Sequence, residues 1–438
     1  MAQSDDPKAD PGAVHSSAPW PYRELDLTGL RRDGWQPEAI REFVLKVHQR
    51  CNLACDYCYV YTMADQSWHD RPILMSREIW SAAATAIAQH VTTHDLSEVQ
   101  VILHGGEPLL AGPETIVAVT TAIRTALRGT AVARMAVQTN GTLLDEATLR
   151  VLDRNDIRVG ISLDGDRADN DRHRHYGDGR GSYLEIDRAL RLLGSPRYRS
   201  AFSGILATID PETSPVACYE ALLKYAPPAL DFLLPHANWS TPRPARAELA
   251  HPFGDWLVAV FDRWYDAPSQ ETRIRFFEEI MNMVFGCASR SEDIGLSPAV
   301  VAVVETDGAI EQVDSLKSAY AGAASTGLSV LTDTFDAALE HPGIVARQLG
   351  PAALSPRCWP CELHPICGGG HYPHRYRAGS GFRNPSVYCA DLRRLISHIQ
   401  HRVLTDLNDR GQDSAAHIGG GSMSELARLP LIASSVSG

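Results

Sequence analysis

The chain has 438 residues, 44% of them hydrophobic, with 53 acidic against 41 basic side chains and a formal net charge of −12. That length exceeds one small core and suits two or three domains, while the negative balance argues against an electrostatic grip on nucleic acid or on an acidic membrane. No basic start followed by an apolar stretch opens the sequence and no run of about 18 apolar residues interrupts it, so the expectation is a cytoplasmic protein without a membrane span; its nine cysteines then favour metal or redox chemistry over disulfides.

Residues 1 to about 19 are rich in Asp, Ala, Ser and Pro and predict disorder. Residues 20–40 lead into the first strand, with Trp20, Leu25, Leu27, Leu30 and Trp35 as candidate anchors. From 42 to about 240 strands and helices alternate. Strands are predicted at 42–48, 98–104, 133–138, 158–163, 201–209 and 229–235. Between them, Ile79, Ala83, Ile87 and Val91 share one helical face behind the N-cap candidate Ser76. Ile116, Val119, Ile123 and Leu127 mark a second helix, Leu149 and Leu152 a third behind Asp145, and Leu184, Ile186, Leu190 and Leu193 a fourth. Residues 214–226 make a fifth. Six such units imply a parallel α/β sheet with right-handed crossovers and a site at the carboxyl ends of its strands.

Beyond the sheet, 251–286 reads as two helices and 299–316 as a hairpin turning at Asp307-Gly308. The domain expectation is therefore a lead-in (1–40), a barrel (41–240), a helical bridge (241–298), a cysteine-bearing α+β domain (299–405) and a flexible tail (406–438).

The chemistry concentrates in four places. Cys51, Cys55 and Cys58 stand at C-x3-C-x2-C just after the first strand, with Tyr57 before the third cysteine. Three thiolates can hold three irons of a [4Fe–4S] cluster and leave the fourth open to a chelating molecule. A structural zinc ion, with His48 as a fourth ligand, is the competing reading. The second strand ends in Gly105, Gly106, Glu107 and Pro108, where glycines allow close backbone approach and a carboxylate can accept from an ammonium. The third and fourth strands end in Gln138-Thr139-Asn140-Gly141 and Ser162-Leu163-Asp164-Gly165, polar groups at a barrel mouth. Cys358, Cys361, Cys367 and Cys389 offer four further thiolates, enough to close an auxiliary iron–sulfur site or a zinc site. Cys218 and Cys287 read as buried, inert thiols.

These motifs resemble the radical S-adenosylmethionine (SAM) superfamily. The resemblance implies a partial (β/α)6 barrel, with SAM chelating the open iron, its amino group at the 105–108 turn and its carboxylate at Ser162 and Arg174. The second cysteine set resembles the SPASM extension of peptide maturases. It departs from that extension at Val313 and His371, where the family carries cysteines of an inner auxiliary cluster, so one auxiliary [4Fe–4S] cluster is expected. Cys51–Trp68, the stretch 304–317 and Cys367–Asp391 resemble FxsB-type maturases. That likeness implies a three-residue cyclophane in a precursor peptide with leader and core and an external one-electron reductant; Asp314, which follows Val313, matches the place where sulfatase-maturing relatives carry an aspartate as the base at the substrate. Other SPASM outcomes (a thioether, an epimer, a formylglycine) and a zinc-stabilised binding protein are the alternatives.

Overall fold

The computed structural model describes residues 19–241 and 250–417. The predicted disorder before residue 19 and the end of the predicted tail lie outside the described residues. Six parallel strands, β1 (Glu42–His48), β2 (Glu98–Gly105), β3 (Val132–Thr139), β4 (Ile157–Ser162), β5 (Phe202–Thr208) and β6 (Ala229–Leu233), lie side by side in chain order. Each falls within two residues of its expected bounds.

Helices cover the outer face. In α1 (Arg77–Thr93) the Ser76 side chain accepts from the Ile79 amide, a cap of about 1 kcal/mol. Its face of Ile79, Ala83, Ile87 and Val91 is buried as the periodicity required. α2 (Pro113–Ala126), α3 (Glu146–Arg154), α5 (Tyr183–Leu193) and α6 (Pro215–Leu223) form where expected, although Leu184 in α5 is exposed and Tyr183 is buried with Ile186, Leu190 and Leu193 in its place. α4 (Arg167–His173) does not: it is short and polar, started by Asp166 accepting from two amides, and has no apolar period to reveal it.

The sheet reaches beyond the barrel in both directions. After α7 (Pro252–Tyr265), β7 (Arg273–Ile274) adds to β6 and leads into α8 (Arg275–Val284). On the other side β8 (Val301–Val304) pairs parallel with β1, placing Val44 beside Val303. β9 (Ala309–Glu311) and β10 (Ser325–Ser329) continue antiparallel. The order is thus β10-β9-β8-β1-β2-β3-β4-β5-β6-β7. The hairpin expected in a separate cysteine domain therefore belongs to the barrel's own sheet, because β8 completes the hydrogen bonding of the β1 edge.

The last described helix, α9 (Cys389–His417), corrects the expected tail: residues 406–417 continue it. It packs along α7, and Asp391 accepts from the Phe253 and Gly254 amides at the start of α7. A β-carbon on Gly254 would lie 2.7 Å from the Asp391 carbonyl oxygen, so glycine is required for that approach. Of the anchors expected in 20–40 only Trp20 is buried, against Tyr372, Tyr376 and Phe382. Cys218 is buried as expected, whereas Cys287 is exposed, because it follows the end of α8 rather than lying in it.

Candidate functional site

At the carboxyl ends of the strands a cavity of about 200 Å³ opens. Cys51, Cys55 and Cys58 line it, with Tyr57, Gly105, Gly106, Asn140, Ser162 and Arg174. Loops far apart in sequence thus meet because each follows a parallel strand. The cysteine loop is held by Ala54 and Asp56 amides donating to the His175 and His173 carbonyls. Asn140 Nδ2 approaches Cys51 Sγ at 3.7 Å and donates to Asn52 at 2.9 Å.

Burial pushes the Cys51 thiol up to about 12 and raises Cys55 and Cys58, and the three sulfurs reinforce one another at Cys51. Apolar surroundings alone would keep them protonated; a cation that displaces their protons would be bound strongly. Among the described residues no three cysteine sulfurs lie mutually within 4.8 Å. A structural zinc ion wants four protein ligands, whereas three cysteines line this cavity, so a cluster with one open iron fits the trio better than a single ion.

Tyr57 Oη donates to Asp164 and accepts from Arg174 Nη1 at 2.9 Å. Arg174 is buried, and its Nε has no hydrogen-bond partner. A cation fixed from one side with an open donor fits a carboxylate ligand. Ser162 Oγ accepts from Gln138 at 3.1 Å and also faces the cavity.

Glu107 differs from expectation. Its carboxylate is buried and accepts from the Leu109 amide at 2.9 Å, Thr139 Oγ1 at 2.6 Å and the Asn140 amide at 2.8 Å. Neither Glu107 nor Pro108 lines the cavity. The carboxylate ties β2 to the β3 loop. The glycines before it serve the same joint: a β-carbon on Gly105 would meet the His48 carbonyl oxygen at 2.1 Å, and one on Gly106 the Tyr61 hydroxyl at 1.8 Å.

Asp314 also differs from a free base. It lies in a buried charge cluster, 2.7 Å from Lys46 Nζ and 3.3 Å from Lys317 Nζ. Lys317 also binds Glu305 and Glu311, and Arg71 reaches Glu311 at 2.6 Å. Against burial, Lys46 and Lys317 hold the Asp314 carboxyl well below the usual range, while burial pushes Glu311 up to about 7. His104, which does line the cavity, is kept neutral: burial and Lys46 lower it to about 4 while Asp314 opposes them.

Lys46, His104 and His236 are site residues without an assigned role in the sequence reading. A lysine inside the apolar run of β1 and a histidine before Gly105 were the available signals.

The second set of cysteines also assembles. Burial raises the Cys358 and Cys389 thiols and pushes Cys367 up to about 12; Cys389 adds to the rise at Cys358 and Cys367, Cys358 to that at Cys367, and Cys361 to those at Cys358 and Cys389. Arg393 donates to Cys361 Sγ at 3.3 Å, and the nearby Arg375 guanidinium favours the thiolates of Cys358 and Cys367. Four thiols gathered at one place supply the ligand count of a closed site.

An open parallel barrel whose strand ends carry a cysteine trio over a ligand cavity defines the class of radical SAM domains. Residues 45–210 match the model of the Radical SAM superfamily, and the chain carries that domain. It is 22% identical over 358 residues to a cysteine-type anaerobic sulfatase-maturating enzyme of Clostridium novyi, covering 77% of this chain and 89% of that one. It is 26% identical over 340 residues to the serine-type enzyme of Klebsiella aerogenes, covering 75% and 79%. In fold it is similar to anSMEcpe with bound AdoMet (TM-score 0.72, 20% identity, 84% of this chain and 99% of that one). It is also similar to Streptococcus suis SuiB bound to its precursor peptide SuiA (TM-score 0.57, 13% identity, 83% and 78%). Among the described residues no helix is long and apolar enough to cross a membrane.

Proposed function

We propose that the chain is a radical SAM maturase of a ribosomally made peptide, and that it joins an aromatic ring carbon to the β-carbon of a residue two places later. The observation that carries the reading is the single cavity lined by Cys51, Cys55, Cys58, Ser162 and Arg174. The names of the relatives, which mature sulfatases or bind a precursor peptide, support a peptide substrate. The crosslink rests on the likeness of Cys51–Trp68, 304–317 and Cys367–Asp391 to FxsB-type maturases and on Val313 and His371 standing in place of cysteines.

Cys51, Cys55 and Cys58 would hold a [4Fe–4S] cluster, and Cys358, Cys361, Cys367 and Cys389 a second, closed one. When bound, the open cluster and SAM supply a radical oxidant able to remove a β-hydrogen. Arg174 and Ser162 would hold the SAM carboxylate; Tyr57, itself bound to Asp164, fixes the guanidinium. Glu107 positions the Asn140 loop rather than touching SAM.

Each crosslink releases one hydrogen atom, one proton and one electron, the last to an external one-electron carrier. Asp314 is already charge-paired, so the proton goes first to neutral His104 at the cavity wall. The Asp314 carboxylate then stabilises the imidazolium. Asp314 is thus the counter-charge of the base.

Co-expression with the small open reading frame beside the gene tests the reading. Loss of two hydrogens per crosslink, with no fragmentation inside the three-residue ring, is expected. Formylglycine, favoured by the sulfatase-maturating relatives, changes a serine by the same mass but yields an aldehyde that reacts with hydrazide. A hydrazide-reactive product overturns the crosslink. His104→Gln should still cleave SAM while crosslinking falls about a hundredfold; crosslinking at the parent rate would remove His104 from the proton path.

A further inference from the structure

Three histidines gather where the inner auxiliary cluster was expected to be missing. Gly368, Gly369 and Gly370 turn the chain through three positive φ values (57°, 79° and 70°), a path open to glycine. His371 then caps a short 3-10 helix, Tyr372–Arg375. In that geometry side chains three apart eclipse one another, so the His371 and His374 rings meet with centroids 5.1 Å apart. His236, just beyond β6, brings a third ring 5.9 and 6.0 Å from them. One ring nitrogen from each lies within 4.8 Å of the other two.

Ordinary core histidines satisfy their ring nitrogens. Here both nitrogens of His374, which is 2% exposed, and Nδ1 of His236 are buried without a hydrogen-bond partner. His371 has only a 3.4 Å contact from Nε2 to Ser315 Oγ and a 3.8 Å approach to Asp293. Burial keeps all three imidazoles neutral, the form that ligates metals. A tetrahedral zinc with bonds of about 2.1 Å separates its nitrogens by about 3.4 Å, so small ring rotations complete the site.

We propose that His236, His371 and His374 bind one divalent transition-metal ion, zinc by the nature of the donors, with Asp293 or water as the fourth ligand. Because His236 also lines the cavity, the ion stands between the peptide-facing wall and the C-terminal extension. The proposal does not depend on the radical chemistry.

The test uses the full chain, anaerobically purified, cluster-loaded, exposed to zinc sulfate and desalted. Elemental analysis should find one zinc per chain beside the iron, and X-ray absorption at the zinc edge a nitrogen shell. In His374→Ala zinc retention should drop at least about tenfold while iron stays. His371→Ala, a less buried position, gives the same reading should His374→Ala fail to fold. No retained zinc, a sulfur shell, or equal retention in His371→Ala would overturn the site. SAM cleavage in the same preparation is scored separately, so failure of the histidine site cannot be mistaken for failure of the radical SAM reading.

Discussion

The two cysteine sets use the same donor atom in opposite settings. Cys51, Cys55 and Cys58 stand at the mouth of a cavity with Arg174, Ser162 and Asn140 around them. Cys358, Cys361, Cys367 and Cys389 close on one another between the start of α9 and a short turn, with Arg393 at the outer edge. Three donors beside unspent polar groups leave room for a reacting ligand. Four donors complete the ligand set and leave none. Ligand count separates an open from a closed site, and the polar groups beside the open one suit a ligand with a carboxylate.

The largest effect should come from breaking the open set. Replacing Cys51, Cys55 and Cys58 together by Ala should abolish 5′-deoxyadenosine formation under reductant and halve the iron from about eight per chain. The matching quadruple change at 358, 361, 367 and 389 should also halve the iron yet leave measurable SAM cleavage. Cleavage persisting in the first variant, or about twelve irons in the parent, would break the comparison.

Next comes the charge cluster beneath the open site. Lys46→Ala leaves Asp314 buried with only the shared Lys317 and should cost about 3–5 kcal/mol, read from urea unfolding. The Asp314 carboxyl is lowered in the fold, so its contribution is present above its unfolded pKa of about 3.9 and is lost as pH falls below it. Asp314→Asn should flatten that acid-side loss; an unchanged pH dependence would show that other carboxylates carry it.

A smaller effect tests the fork. Arg174→Lys keeps the charge but loses the planar geometry toward Tyr57 and a carboxylate, and should raise the KM for SAM about tenfold, or ~1.4 kcal/mol. An unchanged KM would place the SAM carboxylate elsewhere. The smallest is the control far from both sites: Ser76→Ala should cost about 1 kcal/mol of stability through its cap and leave SAM cleavage as it was.

Local pattern made the barrel legible. Alternating apolar runs, caps at Ser76 and Asp145, and cysteine spacings are short-range features, and each determined its element or site from sequence neighbours alone. The choice of Cys51, Cys55, Cys58, Ser162 and Arg174 as one group came from the likeness of their segments to the radical SAM superfamily, and the cavity lining brings all five together. What the sequence left open depends on partners from about thirty to more than two hundred residues away. Glu107 looks like a ligand group until Thr139 and the Asn140 amide take up its oxygens. Asp314 looks like a base until Lys46, from the opposite end of the chain, pairs with it. The hairpin looks like part of another domain until β8 pairs with the β1 edge. His236, His371 and His374 carry no shared spacing, and only the fold of β6 against the glycine turn brings their rings together. Burial and pairing set what a polar side chain can do, and both are properties of the folded chain, in which distant segments desolvate and neutralise one another.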